Sequence, residues 1–217
     1  MTDYATRRTM MVDGQVRPAD VTKFPIIEAM LRLPRERFVP PGMAETAYMD
    51  DNLTLAPGRV LPAPRTLAKM LDALNIGPRD LVLDIGCGMG YSTAVAARLA
   101  EAVVGVEEDP ELAAEAPGAL ASVAADNAVI TQAPLSEGDP ASGPYDVLMI
   151  QGGIELFPDA LRAQLKDGGR AVCLFMDGPL GVARLGSRQG DHMVWRDMFN
   201  AAAPVLPGFG RAPAFIF

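Results

Sequence analysis

The feature that most constrains the fold is the stretch LVLDIGCGMGYS at residues 81–92. It begins with residues typical of a buried strand, continues with three glycines spaced two apart, and runs into a segment of helical character. Glycines at this spacing let the backbone turn tightly and approach a ligand with no side chain in the way. A strand, a glycine-rich turn and a helix in this order predict the start of a doubly wound α/β sheet.

The sequence after residue 77 alternates between apolar runs and helical segments. Apolar runs separated by helices are typical of a parallel sheet that is covered on both faces. We therefore predict an α/β fold with a Rossmann-like, doubly wound, mostly parallel sheet. The predicted strands lie at residues 81–86, 102–107, 127–133, 145–152 and 170–176, and the predicted helices lie at 91–100 and 160–169.

Two segments of this part have mixed patterns. Residues 111–123 contain Pro117 and Gly118, which should shorten or kink any helix there. Residues 192–217 end in PAFIF, whose aromatic and aliphatic residues predict a final strand. His192 and Trp195 lie in this tail, and we interpret both as packing or surface residues without a chemical role.

The part before residue 77 predicts an N-terminal helical and loop extension. Apolar side chains recur at helical spacing in residues 21–33 and 65–74, which predicts two amphipathic helices. Residues 34–64 between them are rich in proline, which excludes most regular structure. Because this segment also contains several aliphatic and aromatic residues, we expect a packed loop. We expect residues 1–217 to form a single domain.

The glycine loop, residues 86–90, differs from a dinucleotide-binding fingerprint. That fingerprint is G-x-G-x-x-G, whereas the third glycine of Gly86, Gly88 and Gly90 falls one residue early. Asp84 stands beside the loop at the end of the predicted strand, and no lysine accompanies it. A pyrophosphate here would meet a carboxylate, whereas a cationic ammonium group would be attracted.

A second acidic residue narrows the class of ligand. Glu107 ends the second predicted strand of this sheet, where a doubly wound fold presents an acid to the two hydroxyls of a ribose. S-Adenosylmethionine carries a ribose and an ammonium group and has no phosphate, so it fits these residues. NAD, which the glycine spacing disfavours, and a purely structural loop are the alternatives.

Composition argues against several other functions. The 217 residues carry 19 basic and 27 acidic side chains, and this net charge of −8 argues against a nucleic-acid partner. The two cysteines and the single histidine match no zinc spacing, so we predict no metal site. The polar first residues and the short apolar runs predict neither a signal peptide nor a membrane partner, so we expect a cytoplasmic protein. The oligomeric state does not follow from the sequence.

Several segments together form a pattern: MVDGQV at 11–16, AMLRLPRERFVP at 29–40, AYMDDNL at 47–53, LVLDIGCGMGYSTAV at 81–95, YDVLMI at 145–150 and LRAQLKDGGRAV at 161–172. In this order they resemble protein-L-isoaspartate O-methyltransferases, over about residues 10–175. The resemblance implies a class I methyltransferase fold and S-adenosylmethionine as the cofactor. It implies that the methyl acceptor is the carboxylate of an isoaspartyl residue in a damaged protein or peptide. Residues 1–76 would then carry the substrate-side loop, and residues 77–217 would bind the cofactor.

The chain departs from this family at the position of an active-site hydroxyl. The family has approximately I-S-x-P before the third helix, and alignment puts Leu61 on the isoleucine and Pro62 on the serine. Proline has neither the hydroxyl nor a backbone N–H with which to hold an incoming carboxylate. Arg59 or Arg65 could bind that carboxylate as a charged fork, and we favour Arg59 because it lies inside the packed loop.

A second departure concerns the adenine end of the cofactor site. The family has Gly-Asp after the third core strand, whereas this chain has Ala133 and Pro134, so adenine recognition would rely on apolar and backbone contacts. Gln151 and Gly152 follow the fourth core strand and are expected to face the cleft. The predicted catalytic positions are Arg59 and Pro62, and the predicted cofactor-binding residues are Leu61, Asp84, Gly86, Cys87, Gly88, Gly90, Glu107, Ala133, Pro134 and Gln151.

Three hypotheses of function follow. The first is a methyltransferase of the isoaspartyl family in which Arg59 takes over the role of the missing hydroxyl. The second is a methyltransferase of the same fold with another acceptor, and the third is a non-catalytic S-adenosylmethionine-binding module. The intact Asp84, glycine loop and Glu107 argue against the third.

Overall fold

The computed structural model describes residues 3–211, so the PAFIF segment predicted as a final strand lies outside the described residues. The N-terminal part contains α1 (Tyr4–Met11), a π-helical turn (Val12–Val16), a 3-10 turn (Arg17–Ala19), α2 (Phe24–Arg32), two 3-10 helices (Arg35–Phe38 and Pro41–Thr46), β1 (Leu53–Ala56), β2 (Arg59–Leu61) and α3 (Pro64–Leu74). The rest contains β3 (Leu81–Ile85), α4 (Tyr91–Ala97), β4 (Ala102–Glu107), α5 (Pro110–Ala121), β5 (Ala128–Gln132), β6 (Tyr145–Ile154), α6 (Asp159–Gln164), β7 (Leu165–Asp177), β8 (Leu180–Gln189) and β9 (His192–Asn200).

The central sheet has seven strands in the order β5-β4-β3-β6-β7-β8-β9. The five strands from β5 to β7 are parallel, and β8 and β9 add an antiparallel meander at one edge. The predicted fold class, a mostly parallel doubly wound sheet with an N-terminal extension, is confirmed. The order of strand addition reverses at β3: β4 and β5 are added on one side and β6 and β7 on the other, all parallel. Ligands bind such folds at this switch point.

The long segment between α2 and α3 is packed, as predicted. Phe38, Val39, Tyr48, Leu53, Val60 and Leu61 are buried, and Leu55 is half-buried. They join one apolar cluster with side chains of α3, β3 and β4. Two short 3-10 helices and the β1–β2 hairpin, residues 53–61, satisfy the backbone where the prolines prevent longer elements. The hairpin is therefore anchored to the core by the buried side chains of Leu53, Val60 and Leu61.

Two helix predictions need correction. The helix predicted at 160–169 is shorter, because α6 ends at Gln164 and β7 begins at Leu165. Its paired glycines belong to a bulge within β7, since Tyr145 pairs with Leu165 while Val147 pairs with Arg170. In contrast, α5 continues through Pro117 to Ala121, because Pro117 and Gly118 lie on its exposed side while the opposite side is buried.

The meander of β8 and β9 was not predicted from the sequence. β8 is mostly half-buried and β9 mostly exposed, so neither strand carries a strong apolar pattern. Trp195 of β9 packs edge-to-face against Phe157 and Phe175, in line with its interpretation as a packing residue. Within residues 3–211, none of the helices is long and apolar enough to cross a bilayer.

Candidate functional site

Asp84 is the charged residue at the end of the central strand β3. Its buried carboxylate accepts hydrogen bonds from Ser92 Oγ at 2.6 Å and Thr93 Oγ1 at 2.7 Å, both in the first turn of α4. Gln151 Nε2 of β6 donates to it at 2.8 Å. Burial raises the pKa of Asp84 to about 6, although all three hydrogen bonds act in the opposite direction. Asp84 is thus a buried anion that orients its neighbours.

Gln151 is bonded to Asp84 and offers a free hydrogen-bond acceptor beside it. Because its amide nitrogen bonds Asp84, its carbonyl oxygen Oε1 points away, and that buried atom has no hydrogen-bond partner among the described residues. A buried acceptor without a donor is costly, so such an atom marks a place for a ligand donor. An ammonium group supplies that donor. Gly152, also expected in the cleft, is instead covered by Leu206, whose side chain fills the space beside it.

The glycine loop links β3 to α4 through three residues with positive φ. Gly86, Gly88 and Gly90 have φ values of 74°, 58° and 90°, where side chains are strained. The loop is tied to β4 by the Gly86 N–H, which donates to the carbonyl of Val106 at 2.8 Å. The sequence pattern therefore corresponds to a real conformational demand at this turn.

Glu107, the last residue of β4, lies beneath the glycine loop and is fully buried. Its carboxylate accepts backbone hydrogen bonds from Gly88 at 2.7 Å, Glu108 at 2.9 Å and Asp109 at 3.0 Å. The acid predicted to bind ribose is thus fixed at the switch point of the sheet. Glu108 itself is exposed, and Asp109 caps α5.

Arg59, at the start of β2, forms a buried ion pair with this carboxylate. Arg59 Nη2 lies 2.7 Å from Glu107 Oε2, and Arg59 Nε lies 3.1 Å from Glu107 Oε1. The two side chains are 4% and 0% exposed. The structure therefore pairs the guanidinium with the acid that is predicted to bind ribose, whereas the sequence suggested a role for Arg59 at the methyl acceptor. That role stays a prediction.

The β1–β2 hairpin covers the glycine loop. A Cβ built on Gly86 would lie 2.7 Å from Arg59 Nη2, and one built on Gly88 would lie 2.7 Å from Leu55 Cδ1. The loop residues and both hairpin side chains are therefore in direct contact. A side chain at either glycine would have to displace the end of Arg59 or of Leu55, in addition to adopting a strained backbone conformation.

Pro62 and Leu61 lie buried at the end of this hairpin, on the way into α3. The carbonyl of Pro62 accepts a hydrogen bond from Arg35 Nη2 at 2.7 Å, and the next residue, Ala63, donates its N–H to Asn52 Oδ1 at 2.9 Å. The position without a hydroxyl is thus held rigidly by its backbone.

Arg35 is a positioning residue that the site prediction missed. It is fully buried, donates also to the carbonyl of Ala47 at 2.7 Å, and stacks over the ring of Tyr91 at 4.7 Å. It joins the Pro62 segment to the helix that follows the glycine loop. The only signal was an arginine in the proline-flanked run LPRERFVP, where a charged residue is expected at the surface.

The remaining predicted residues lie around this centre with less direct roles. The Cys87 thiol is buried against Gly105 and Thr93, and burial raises its pKa well above the ordinary value, so it is a packing residue. Ala133 continues the ladder by donating to the carbonyl of Glu107 at 3.2 Å, and Pro134 after it is exposed. Arg65 points to the surface, where it pairs with Asp50 at 3.2 Å.

The chemistry of these residues fits S-adenosylmethionine. The free Gln151 oxygen beside Asp84 fits an ammonium group, and the bare glycine loop fits the close approach of a ligand to backbone. Glu107 has the chemistry to accept two ribose hydroxyls. Its lone pairs, however, are already used by Arg59 and by the backbone.

Comparison with known proteins gives a family match over most of the chain. The model of the family described as Protein-L-isoaspartate(D-aspartate) O-methyltransferase (PCMT) matches residues 8–194. Protein-L-isoaspartate O-methyltransferase 1 of Rhodopseudomonas palustris (strain HaA2) is 36% identical over 171 residues, which is 79% of this chain and 70% of the relative. Protein-L-isoaspartate O-methyltransferase of Methylorubrum extorquens (strain PA1) is 34% identical, covering 97% of this chain and 92% of the relative.

Solved structures show the same fold. A protein-L-isoaspartate O-methyltransferase superposes with a TM-score of 0.80 at 22% identity, covering 96% of this chain and 67% of that one. A Plasmodium falciparum structure described as a beta-aspartate methyltransferase in complex with S-adenosyl-L-homocysteine has a TM-score of 0.77 at 15% identity, covering 95% and 99% of the two chains. At these identities the likeness bears on the fold alone.

Proposed function

Because the chain belongs to the protein-L-isoaspartate(D-aspartate) O-methyltransferase family, we propose that it methylates the carboxylate of isoaspartyl residues in damaged proteins. S-Adenosylmethionine is the cofactor, and the protein is an O-methyltransferase. The observation that carries this function is the family match over residues 8–194, which spans both the glycine loop with Glu107 and the N-terminal extension.

The residues of the site supply binding and orientation. When bound, S-adenosylmethionine provides a methyl group on a sulfonium, which is a built-in leaving group. An isoaspartyl carboxylate, with a pKa of about 4, is already ionised at pH 7, so no general base is needed. Asp84 and Gln151 would hold the ammonium group, Glu107 the ribose hydroxyls, and the hairpin would exclude water. Holding the reacting groups in line is worth several powers of ten in rate.

The acceptor side depends on the segment around Pro62. Since proline offers the incoming carboxylate no donor, we propose that an arginine binds it. Arg59 lies nearest the glycine loop, and Arg65 at the surface is the alternative. We further propose that residues 1–76 form the substrate side and residues 77–217 the cofactor-binding core of one domain. The proposed location is the cytoplasm.

The function is tested by titrating the purified protein with S-adenosylmethionine and S-adenosylhomocysteine in a calorimeter, followed by methyl transfer to an isoaspartyl peptide. The same peptide with an ordinary aspartate is the matched control. We expect binding of both compounds and transfer to the isoaspartyl peptide alone. Binding without transfer would indicate a different acceptor, and the absence of binding would contradict the assignment of the cofactor.

The variant Pro62→Ser separates the two explanations of missing transfer. If this variant transfers methyl groups to the isoaspartyl peptide and the natural protein does not, the missing hydroxyl is the cause. If neither transfers while both bind the cofactor, the acceptor pocket serves another substrate.

A further inference from the structure

We infer that the Arg59–Glu107 ion pair closes the ribose end of the cofactor site, so that S-adenosylmethionine binds fully only when Arg59 leaves Glu107. This inference rests on the cofactor of the proposed function. It concerns Arg59 as a residue that sets cofactor affinity.

The first observation is that the carboxylate of Glu107 has no acceptor capacity left. A carboxylate offers about four lone-pair positions. Glu107 receives two hydrogen bonds from Arg59 and three from backbone N–H groups. Two ribose hydroxyls therefore find no free position on this carboxylate until some donor leaves.

The second observation identifies which donor leaves. The three backbone donors, Gly88, Glu108 and Asp109, belong to the glycine loop and to the turn from β4 into α5, so they can leave Glu107 only if the backbone there rearranges. Arg59 is a side chain on a short hairpin and turns about single bonds. Its described side-chain hydrogen bonds all go to Glu107, and its Nη1, which is buried, has no partner among the described residues. Arg59 is thus the donor that is free to exchange.

The third observation concerns space above the glycine loop. The Arg59 guanidinium lies directly against Gly86: Nη2 is 2.7 Å and Nη1 3.2 Å from the point where a Cβ on Gly86 would be. Glycines at this turn allow a ligand to come close to the backbone, and in this structure the guanidinium of Arg59 occupies that space. Cofactor binding must therefore move Arg59 for steric reasons as well as for hydrogen bonding.

The energetic consequence is a lower affinity for the cofactor. Separating a buried, doubly hydrogen-bonded ion pair is unfavourable, because each charge must find new partners or water. An uncharged glutamine in place of Arg59 would hold Glu107 less strongly and would give way to the ribose more readily.

The variant Arg59→Gln, titrated with S-adenosylhomocysteine, tests the inference. We expect a Kd lower by about tenfold or more, which corresponds to the loss of one strong charged hydrogen bond. Arg17→Gln is the matched control, because Arg17 pairs with Asp13 on the exposed surface, and its Kd should equal that of the natural protein. An unchanged or higher Kd in Arg59→Gln would overturn the inference.

Melting temperatures provide a second test that does not depend on enzyme activity. Without ligand, the melting temperature of Arg59→Gln should fall because a buried pair is lost, while the rise produced by saturating S-adenosylhomocysteine should exceed that of the natural protein. Should Arg59→Gln fail to fold, Arg59→Lys keeps the charge and loses the fork, and we expect an intermediate gain in affinity. If neither the natural protein nor any variant binds S-adenosylhomocysteine, the proposed function fails. If all bind equally, only this inference fails.

Discussion

The carboxyl group of Asp84 is buried near the end of β3, beside the proposed cofactor site. It has no contact with solvent, and it meets α4 through two hydroxyls and β6 through Gln151. Burial disfavours its charged form and raises its pKa to about 6, just below neutral pH. If Asp84 attracts the ammonium group of the cofactor, as we propose, its titration should make cofactor binding depend on pH near this value.

We expect the affinity for S-adenosylhomocysteine to decrease as the pH falls below about 6, the pKa of Asp84. A raised pKa means that Asp84 is ionised above this value and protonated below it, and only the ionised form attracts the ligand ammonium group. If the ionised form alone binds, the Kd at pH 5.5 is roughly fourfold higher than at pH 7.5. Calorimetry at the two pH values measures this ratio.

Asp84→Asn is the control for the pH effect. Its affinity should be low and independent of pH over this range, since the residue no longer titrates. A pH dependence equal to that of the natural protein in Asp84→Asn would assign the effect to another group.

The elements differ in how strongly they require their glycines. Gly88 in the glycine loop has a φ of 58° and lies under Leu55, so a side chain there meets both strain and an occupied space. Gly118 in α5 has negative φ and nothing within 4 Å of a Cβ built on it. The same residue type is thus required by the turn and unfavourable in the helix.

The substitutions Gly88→Ala and Gly118→Ala should change stability in opposite directions. Gly88→Ala should lower the free energy of unfolding by about 1–2 kcal/mol, because alanine is strained in the left-handed region. Gly118→Ala should raise it by about 0.5–1 kcal/mol, because alanine is the better helix former. Urea denaturation measures both values, and a change of the same sign in the two variants would contradict this account of the elements.

At the scale of the molecule, the N-terminal extension and the sheet share their apolar core. Side chains such as Met30, Phe38 and Leu67 belong to one buried cluster with Val82 and Val103 of the sheet. The opposite face of the sheet has its own cluster, against which Trp195 packs through its aromatic neighbours. Since both clusters share the strands of one sheet, loss of one face should expose the other.

We expect the protein to unfold in one transition. Trp195, the only tryptophan, reports on one face of the sheet by fluorescence, while far-ultraviolet circular dichroism reports on all helices and strands. The urea midpoints from the two signals should coincide, as in cooperative unfolding of a single domain. Separate midpoints would show that the two faces, or the N-terminal extension, unfold independently.

Elements with strong local patterns were predicted well from the sequence, and elements set by neighbours were not. The buried strands β3, β4 and β6 consist of continuous apolar runs, and the glycine loop demands positive φ, so both are visible locally. The end of α6 depends on the pairing of β7 with β6, and the continuation of α5 through Pro117 depends on the packing of its buried side. Neither dependence is visible in a window of adjacent residues.

The sequence by itself determined the parallel sheet, the glycine loop and the two acids at the ends of β3 and β4, because periodicity and chain order suffice to place them. It also determined the absence of a hydroxyl at Pro62. Only the tertiary structure decided that Arg59 reaches Glu107, 48 residues away, and that Arg35 holds the carbonyl of Pro62. A buried charge takes whichever partner the packed chain brings within reach, and that choice depends on the folding of the hairpin onto the loop.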